Sequence, residues 1–259
     1  MRGQKLHSPQ SVHRVLRILD LLSTSADPLS LAEISRRLAS PKSSIVSLLH
    51  GLEEAHYVRS TENGWWLGSG AFGLGSALVA ARERLPSSVI IHAGMVDLAK
   101  ASGETVIFAV LNEDRTGITY LDVVESRETV RFTVSIGNRR ELYCTAGGRV
   151  LLSEMTPQQV DDYLASVEPA AWTDSTMTDR QAICDAVSAA REAGVAQTID
   201  QAANGATGTA ALVRAAGGQV PGALIVASPT ARSRDRLADL RQQVLDAAAS
   251  ISRNLGFTG

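Results

Sequence analysis

The sequence has very little cysteine: Cys144 and Cys184 are the only two in 259 residues. A disulfide framework or a structural zinc site needs several closely spaced thiols, so this spacing excludes both. We therefore expect two reduced thiols. Histidine is missing downstream of His92, so no histidine follows Cys144 in the chain to activate it as a nucleophile, and the histidines indicate no metal site.

Long hydrophobic runs are also missing. The chain contains no stretch of about 18 consecutive apolar residues, which excludes a membrane-spanning helix. The first residues include basic side chains, but the apolar segment that a secretory signal needs does not follow them. From these absences we expect a soluble cytoplasmic protein with no membrane partner.

The net charge is small, at −2, but it is unevenly distributed. Residues 1–70 contain eight Lys or Arg and six Asp or Glu, a balance of +2. The remaining residues contain 17 basic and 21 acidic side chains, a balance of −4. This mild asymmetry fits a small nucleic-acid-binding module joined to a larger domain, and the length also favours two domains.

Three helices are predicted near the N-terminus, the first of which ends near Ser23. Ser30 and Glu33 have the spacing of a capping box, which predicts the start of the second helix. The third helix follows almost at once, with Ser40 as its expected N-cap and Pro41 in its first position. Two helices joined by so short a turn indicate a helix-turn-helix. The predicted apolar face of the first helix consists of Val12, Val15, Leu16, Leu19 and Leu22.

A β-hairpin is predicted after the third helix. Two short β-rich segments, 57–59 and 65–67, flank Asn63-Gly64, a dipeptide typical of tight hairpin turns. The hairpin would form the wing of a winged helix-turn-helix domain. Of the two neighbouring tryptophans, we expect Trp66 to pack on the three-helix core.

The chain is predicted to contain a winged helix-turn-helix DNA-binding domain over residues 1–75, a linker helix over 76–86 and a second domain over 87–259. The second domain begins with a helix and continues with β-rich segments and two or three further helices. Helices around a mostly antiparallel sheet indicate an α+β fold. The predicted strands cover 106–111, 118–124, 129–134, 195–199, 209–213 and 223–227, and the final helix covers 233–255.

One face of the third helix is predicted to contact DNA. Its apolar stripe must face the other two helices, so the opposite face is exposed. Small hydroxyl side chains on that face allow close approach to the major groove and hydrogen bonds with base edges. Ser43, Ser44 and Ser47 are therefore the candidates for base contacts. The apolar stripe consists of Ile45, Leu48, Leu49 and Leu52.

Basic residues nearby are candidates for phosphate contacts. Arg36 and Arg37 project from the second helix, which crosses the DNA backbone when such domains bind. Lys42 lies at the N-terminus of the third helix, where the helix dipole also favours a phosphate. His50 lies on the outward face of the third helix. A solvated polar face without a ligand is the alternative for each of these residues taken singly.

The sequence resembles the IclR family of regulators along nearly its whole length. The resemblance is carried by SVHRVLRILDLLS, LSLAEISRRLASPKSSIVSLLHGLEEAHYVR, WWLGSGAFGLG and LYCTAGGRVLL. It implies a GAF-like effector-binding domain that senses a small organic acid or aromatic compound. It also implies double-stranded operator DNA as a partner, and homodimers that often pair into tetramers. For such a regulator we expect no enzymatic activity and no cofactor.

The resemblance also implies an effector site near Thr145, Ala146 and Gly147, where small residues leave amide groups uncovered at a helix N-terminus. Tight packing of strand against helix is the alternative reason for these small residues. Thr198 and Gly208 stand where an acidic residue and a cysteine are common in the family, which predicts more space and a bulkier or less polar ligand. The candidate apolar walls are Leu142, Phe108 and Leu121, for which ordinary core packing is the alternative.

Two other functions are considered. Gly68, Gly70 and Gly73 match a dinucleotide-binding pattern, which would indicate a nucleotide-dependent enzyme. The segment before them is the outer strand of a short hairpin rather than a buried parallel strand, which argues against that function. In the other alternative, the C-terminal domain only dimerises a DNA-binding protein and takes no ligand.

Overall fold

The structure of the protein is a computed structural model that describes residues 10–83 and 86–258. For residues 79–83 and 86 it describes the backbone alone. The chain forms two compact units, Met1–Leu85 and Pro86–Gly259, named here the N-terminal unit and the C-terminal unit. Residues 84 and 85 of the predicted linker helix lie outside the described residues.

The N-terminal unit is a three-helix core with a two-stranded wing. Strands β1 and β2 are antiparallel, with Val58 opposite Leu67. Residues from all three helices and from the wing share one buried cluster, which includes Ile18, Ile34 and Leu49. The predicted winged helix-turn-helix is therefore confirmed. Its elements are α1 (Gln10–Ser23), α2 (Leu31–Arg37), α3 (Lys42–Glu54), β1 (Val58–Thr61), β2 (Gly64–Leu67) and α4 (Ser69–Glu83).

The buried face of α1 is narrower than predicted. Ile18 and Leu22 are buried in the core, whereas Val12 and Leu16 are 52% and 60% exposed. The two exposed residues lie beside the buried face, and apolar periodicity does not tell which edge of a wide stripe meets the core. An exposed apolar strip therefore remains on α1.

Of the two predicted helix caps, Ser30 is confirmed as the N-cap of α2 without its full capping box, and Ser40 is corrected. The Ser30 hydroxyl accepts a hydrogen bond from the Glu33 amide at 3.2 Å, but the capping box is incomplete because the Glu33 carboxylate binds other side chains. Ser40 does not cap α3, since its hydroxyl donates to the Leu38 carbonyl. Pro41 is the N-cap instead, with a φ of −57° and a non-helical ψ of 137°.

The turn of the wing lies one residue earlier than predicted. Thr61 pairs with Gly64, so Glu62 and Asn63 form the turn between β1 and β2. The Thr61 hydroxyl donates to the Gly64 carbonyl at 2.8 Å, which closes the turn. Gly64 is therefore the first residue of β2.

Helix α4 begins at Ser69, earlier than the linker helix predicted from sequence. The Gly68 amide donates to the Tyr57 carbonyl at 2.8 Å, and the Gly70 amide donates to the His56 carbonyl at 2.9 Å. A Cβ at Gly68 would lie 2.3 Å from the His56 carbonyl oxygen, so this approach requires glycine. The glycines therefore pack α4 against the wing, and these two amides are engaged by the protein's own backbone.

The C-terminal unit is a six-stranded sheet with helices on both faces. All neighbouring strands are antiparallel, in the order β5-β4-β3-β8-β7-β6. This arrangement confirms the predicted α+β class. The elements are α5 (Pro86–Ser102), β3 (Thr105–Leu111), β4 (Gly117–Val124), β5 (Arg139–Glu141), α6 (Ala146–Leu152), α7 (Pro157–Ser166), α8 (Arg180–Ala193), β6 (Val195–Ile199), β7 (Ala206–Val213), β8 (Gly222–Pro229), α9 (Thr230–Ser233) and α10 (Leu237–Asn254).

The predicted strand 129–134 is absent, and the edge strand beside β4 is β5 instead. Gly117 pairs with Glu141 across this edge. In the segment after β4, the Phe132 carbonyl accepts a hydrogen bond from the Thr105 hydroxyl at 2.7 Å. This hydrogen bond joins the segment to the first residue of β3 through a side chain and does not extend the ladder of the sheet. A β-rich composition alone does not decide which segment pairs with an edge strand.

Two hydrophobic clusters lie on opposite faces of the sheet. One contains Ile107 and Ala109 and packs against α6, α7 and α8, while the other contains Val106 and Phe108 and packs against α5 and α10. This alternation along β3 is the two-residue period of a strand. None of the helices in residues 10–83 and 86–258 has the length and hydropathy of a membrane-spanning segment.

Candidate functional site

Helix α3 presents opposite faces to the core and to solvent. Ile45 and Leu49 are completely buried and Leu52 is 8% exposed. Ser43 and Ser47, which lie between these positions on the helix, are exposed. The predicted apolar stripe is confirmed, and the two serines are free to meet a macromolecule from outside.

Ser44 is held from α1, a contact that the sequence analysis missed. Its hydroxyl accepts a hydrogen bond from Arg14 Nη1 at 3.3 Å, and Arg14 Nη2 also donates to Gln10 Oε1 at 3.1 Å. Ser44 is half-buried as a result. The contact brings a cation from α1 to the start of α3. The signal in the sequence was a basic residue of α1 outside its predicted apolar face.

Arg36 and Arg37 share one carboxylate. Glu33 Oε2 lies 2.5 Å from Arg36 Nη2, and Glu33 Oε1 lies 2.6 Å from Arg37 Nε. The hydrogen bond from Arg37, followed by that from Arg36, lowers the pKa of Glu33 below its usual range. Both arginines remain exposed, at 76% and 50%. Lys42 at the start of α3 is also exposed. The residues predicted to contact phosphates are thus three cations, and Glu33 is the carboxylate that binds two of them.

We expect Glu33→Gln to strengthen DNA binding, because it leaves both arginine charges uncompensated. Arg36→Ala and Arg37→Ala should each weaken DNA binding and reduce the slope of log K against log salt by about 0.9, the value for one lost phosphate contact. Fluorescence anisotropy between about 50 and 200 mM salt measures this slope. Lys100→Ala, a change of an exposed lysine in the C-terminal unit, is the control. An arginine variant with the wild-type slope would remove that residue's phosphate role.

The wing is tied to α3 through Glu53. One of its carboxylate oxygens accepts hydrogen bonds from the Ser60 amide at 2.9 Å and from the Ser60 hydroxyl at 2.7 Å. These bonds lower the pKa of Glu53. His50 is 65% exposed and contacts the Trp65 ring edge-on, with 5.8 Å between ring centroids. Trp65 rather than Trp66 packs against the three-helix core, which corrects the earlier expectation.

In the C-terminal unit, Thr145 caps α6. Its hydroxyl accepts a hydrogen bond from the Gly148 amide at 3.1 Å and donates to the Glu141 carbonyl at 2.7 Å. The whole of α6, Ala146–Leu152, is buried. The Gly148 amide is therefore satisfied by the protein itself.

The glycines of α6 allow close packing on two sides. A Cβ at Gly147 would lie 2.5 Å from the Ile225 Cδ1 atom, on the flexible end of a side chain. A Cβ at Gly148 would lie 2.3 Å from Leu142 Cα and 2.4 Å from the Leu142 carbonyl oxygen, which are backbone atoms. These contacts support the packing explanation for small residues here. The effector contacts of Thr145, Ala146 and Gly147 remain predictions.

The structure brings Ala146, Thr198 and Gly208 together. A Cβ at Gly208 would lie 3.2 Å from Ala146 Cβ and 3.2 Å from Thr198 Oγ1. Thr198 is itself buried, with 5% of its surface exposed. The expectation that Gly208 opens additional space is therefore corrected, because the neighbouring side chains already occupy it.

The three predicted apolar walls lie in different places. Leu142 is fully buried in the cluster that contains α6. Phe108 lies on the opposite face of the sheet, against α5 and α10, so the structure does not bring it to α6. Leu121 is half-buried at a β-bulge, where Phe108 and Ala109 pair with Asp122 and Tyr120. Sequence alternation separates the faces of a strand but does not say which helices cover each face.

Arg149 is a buried cation that the sequence analysis missed. It is 4% exposed; its Nε donates to the Tyr143 carbonyl at 2.9 Å and its Nη2 donates to Gln201 Oε1 at 2.5 Å. Within residues 10–83 and 86–258 it forms no ion pair with a carboxylate, and burial lowers its pKa. The available signal was a single basic residue in the otherwise apolar segment AGGRVLL. A buried charge without a counterion favours binding of an anion nearby.

The two cysteines should differ in reactivity. Burial, with a smaller effect from Glu141, raises the pKa of Cys144 to about 12. Burial also raises the pKa of Cys184, but this thiol is only half-buried and a reagent can reach it. At pH 8 nearly all Cys144 thiols are therefore protonated, and the thiolate is the reactive form. We expect iodoacetamide to modify Cys184 in the folded protein and Cys144 after unfolding, as mass spectrometry can measure. Equal modification in the folded protein would contradict the burial of Cys144.

The raised pKa of Cys144 also predicts a pH dependence of stability. In the unfolded chain this thiol ionises near about pH 8.5, while in the folded protein it stays protonated up to about pH 12. The stability that the protonated Cys144 thiol contributes is thus fully present below about pH 8.5 and declines as the pH rises from there towards 12.

The described residues contain no group of three or more His, Cys, Asp or Glu placed to hold a metal ion.

Comparisons with known proteins match both units. The family model for "Bacterial transcriptional regulator IclR C-terminal" matches residues 84–253, and that for "IclR helix-turn-helix domain" matches residues 11–62. The HTH-type transcriptional regulator XynR of Escherichia coli (strain K12) is 29% identical over 254 residues, which cover 96% of this chain and 98% of that protein. The acetate operon repressor of Salmonella typhimurium (strain LT2) is 27% identical over 252 residues, with coverage of 96% and 91%.

A solved structure shares the fold. It is an IclR homolog from Microbacterium hydrocarbonoxydans complexed with 4-hydroxybenzoate, and it superposes with a TM-score of 0.76 at 20% identity. The similarity covers 95% of this chain and 99% of the other. The helix-turn-helix followed by an α+β unit is thus an architecture that this solved protein also has.

Proposed function

Because the chain belongs to the IclR family of bacterial transcriptional regulators and binds DNA through its helix-turn-helix, we propose a specific division of roles between its two units. The N-terminal unit reads an operator with the outward face of α3. The C-terminal unit binds a small organic acid or aromatic compound near α6 and thereby changes operator affinity. The regulator acts in the cytoplasm, where bacterial DNA lies.

The observation that carries the DNA-reading proposal is the exposure of Ser43 and Ser47 above a buried apolar stripe. In the proposal these two serines and Ser44 contact base edges. Arg36 and Arg37 on α2 contact the phosphate backbone, which positions the domain without reading sequence. Lys42 contributes a further phosphate contact and His50 lies beside the groove.

A second copy of the chain is proposed to cover the exposed apolar strip on α1 and the apolar side chains of α4. Large apolar side chains that are left exposed on two helices of one unit are candidates for such a contact. A homodimer would place two α3 helices on half-sites about one helical turn, or roughly 34 Å, apart, and two dimers could pair on longer operators. The exposed side chains are Val12, Leu16, Phe72, Leu74 and Leu78.

The effector proposal rests on the buried cation of α6. Arg149 lacks a carboxylate partner among the described residues and lies on the same helix as Ala146 and Gly147. An anionic effector near this helix would supply the missing counter-charge. The homolog from Microbacterium hydrocarbonoxydans carries 4-hydroxybenzoate, a compound of the proposed class. In the proposal Thr198 and Gly208 line this site, with Leu142 behind them.

Footprinting on DNA upstream of the chain's own gene tests this function. We expect the protein to protect a palindromic site on this DNA. Compounds from a panel of organic acids that includes 4-hydroxybenzoate are then added one at a time, and the effector should change the protection. Gly208→Val should preserve operator binding and abolish the effector response, because its side chain would press on Ala146 and Thr198, which a Cβ alone would already approach to 3.2 Å, and would displace these residues of the proposed site. Repression, the action of the acetate operon repressor, is the expected direction of control.

Two results would overturn parts of the proposal. Absence of any protected site at low salt would remove the operator-reading role of α3. Operator binding that no compound alters, with no ligand-induced thermal stabilisation across the panel, would leave the C-terminal unit as a dimerising domain.

A further inference from the structure

A cleft of about 650 Å³ lies in the C-terminal unit between α8 and α10, and we name it the α8–α10 cleft. Its apolar wall includes Leu212 of β7 and Leu245, Ala248 and Ala249 of α10. Neither Ala146, Gly147, Thr198 nor Gly208 lines it. The cleft is therefore separate from the effector site proposed near α6.

The cleft exists because β7 is longer than its edge neighbour. Val195, the first residue of β6, pairs with Ala211 of the antiparallel strand β7. Strand β7 continues to Val213, so its last two residues extend past the start of β6. Gly194 precedes β6 with a left-handed φ of 68°, which turns the chain away after α8. Alanines on both helices, among them Ala190 and Ala248, leave the space unfilled.

Arginine side chains give the cleft a positive charge. Arg214 is paired with Glu154 by two hydrogen bonds, of 3.0 and 2.5 Å, and is thereby neutralised. Arg191 donates to two backbone carbonyls, and no carboxylate among the described residues pairs with it. The Arg253 side chain is exposed and forms no hydrogen bond or ion pair in the part of the chain that the structure describes, whereas its backbone carbonyl accepts a hydrogen bond from the Gly256 amide. Three arginines and one glutamate leave a charge of +2 around the cleft.

We propose that the α8–α10 cleft binds an amphipathic organic anion, a carboxylate with an apolar body of medium length. Small-molecule sites have volumes of about 300 to 1,000 Å³ with mostly apolar walls and a few charged groups, and this cleft fits that range. The apolar wall excludes a purely polar anion such as phosphate as the preferred ligand. The carboxylate would pair with Arg253 and Arg191 at the rim, while the apolar body contacts Leu212 and Leu245.

Octanoate is the probe for this proposal, measured by isothermal titration calorimetry with the full chain. We expect saturable binding with one octanoate per chain and at least about tenfold weaker binding of neutral octan-1-ol, since the alcohol cannot form charge-assisted hydrogen bonds with the arginines. Ala249→Trp fills the cleft from an exposed position and should abolish binding. Arg253→Gln should weaken octanoate binding about tenfold and leave octan-1-ol binding unchanged.

Matched controls lie on the same helix outside the cleft. Ala238→Trp and Arg241→Gln change exposed residues of α10 that do not line it, and both should bind octanoate as the wild type does. Unchanged octanoate binding by Ala249→Trp would overturn the proposal. A second result would also overturn it: Gly208→Val loses octanoate binding while Ala249→Trp binds octanoate normally. Octanoate would then occupy the site near α6, and the proposed function would stand.

A protein partner is the remaining occupant. If octanoate does not bind and Ala249→Trp changes the oligomeric state in size-exclusion chromatography, the cleft is a contact between copies of the chain. That result overturns the ligand proposal and leaves operator reading by the N-terminal unit unaffected.

Discussion

Replacing Ser43 and Ser47 together with Asp is expected to lower operator affinity by on the order of 100-fold, since each wrong contact at a base pair costs about 1 to 3 kcal/mol. Both side chains are exposed on α3, so the change should not disturb the buried stripe beneath them. The new carboxylates would face DNA phosphates and base edges without a counter-charge. The loss should therefore appear in DNA binding and not in folding.

Fluorescence anisotropy with the footprinted operator measures this loss, and circular dichroism measures the thermal midpoint. Ser188→Asp, an exposed serine on α8 in the C-terminal unit, is the matched control and should bind the operator normally. Single changes to Ala should shift the preferred sequence more than the overall affinity. If selection from random DNA returned the wild-type motif for Ser43→Ala and for Ser47→Ala, these serines would not read bases.

Gly148→Ala is expected to destabilise the C-terminal unit by about 3 kcal/mol, at the upper end of the usual cost of overpacking. The added Cβ would lie 2.3 Å from Leu142 Cα, and both atoms belong to backbone that the buried helix α6 and the preceding segment hold in place. No rotamer change can relieve such a contact. The helix must therefore move, which also disturbs the cap made by Thr145.

Gly147→Ala is the matched comparison on the same helix. Its Cβ would meet the flexible end of the Ile225 side chain, whose displacement costs about 0.5 to 1.5 kcal/mol. The gain of about 1 kcal/mol in helix propensity offsets most of that cost. Urea denaturation followed by circular dichroism should thus place this variant within about 1 kcal/mol of the wild type. Equal stability of the two alanine variants would show that α6 is not packed against the Leu142 backbone.

Local signals predicted the helix-turn-helix well. The spacing of Ile45, Leu49 and Leu52 determines the buried face of α3 and therefore the outward position of Ser43 and Ser47. Such spacing works because a helix repeats every 3.6 residues whatever surrounds it. Cap positions were less well predicted, because Pro41 suits both the N-cap and the first turn, and hydrogen bonds of neighbouring groups decide between them.

The sequence by itself determined the helix-turn-helix with its wing, the α+β class and the outward side of α3, since these depend on contacts between residues close in the chain. The tertiary structure alone decided that Phe108 faces α5 and α10 and that Gly208 has no free space beside it. It also decided that Arg149 is buried with no carboxylate partner among the described residues. It also decided that β7 extends beyond β6 and leaves the α8–α10 cleft. These properties arise where segments far apart in sequence pack together, and no local periodicity encodes which segments meet.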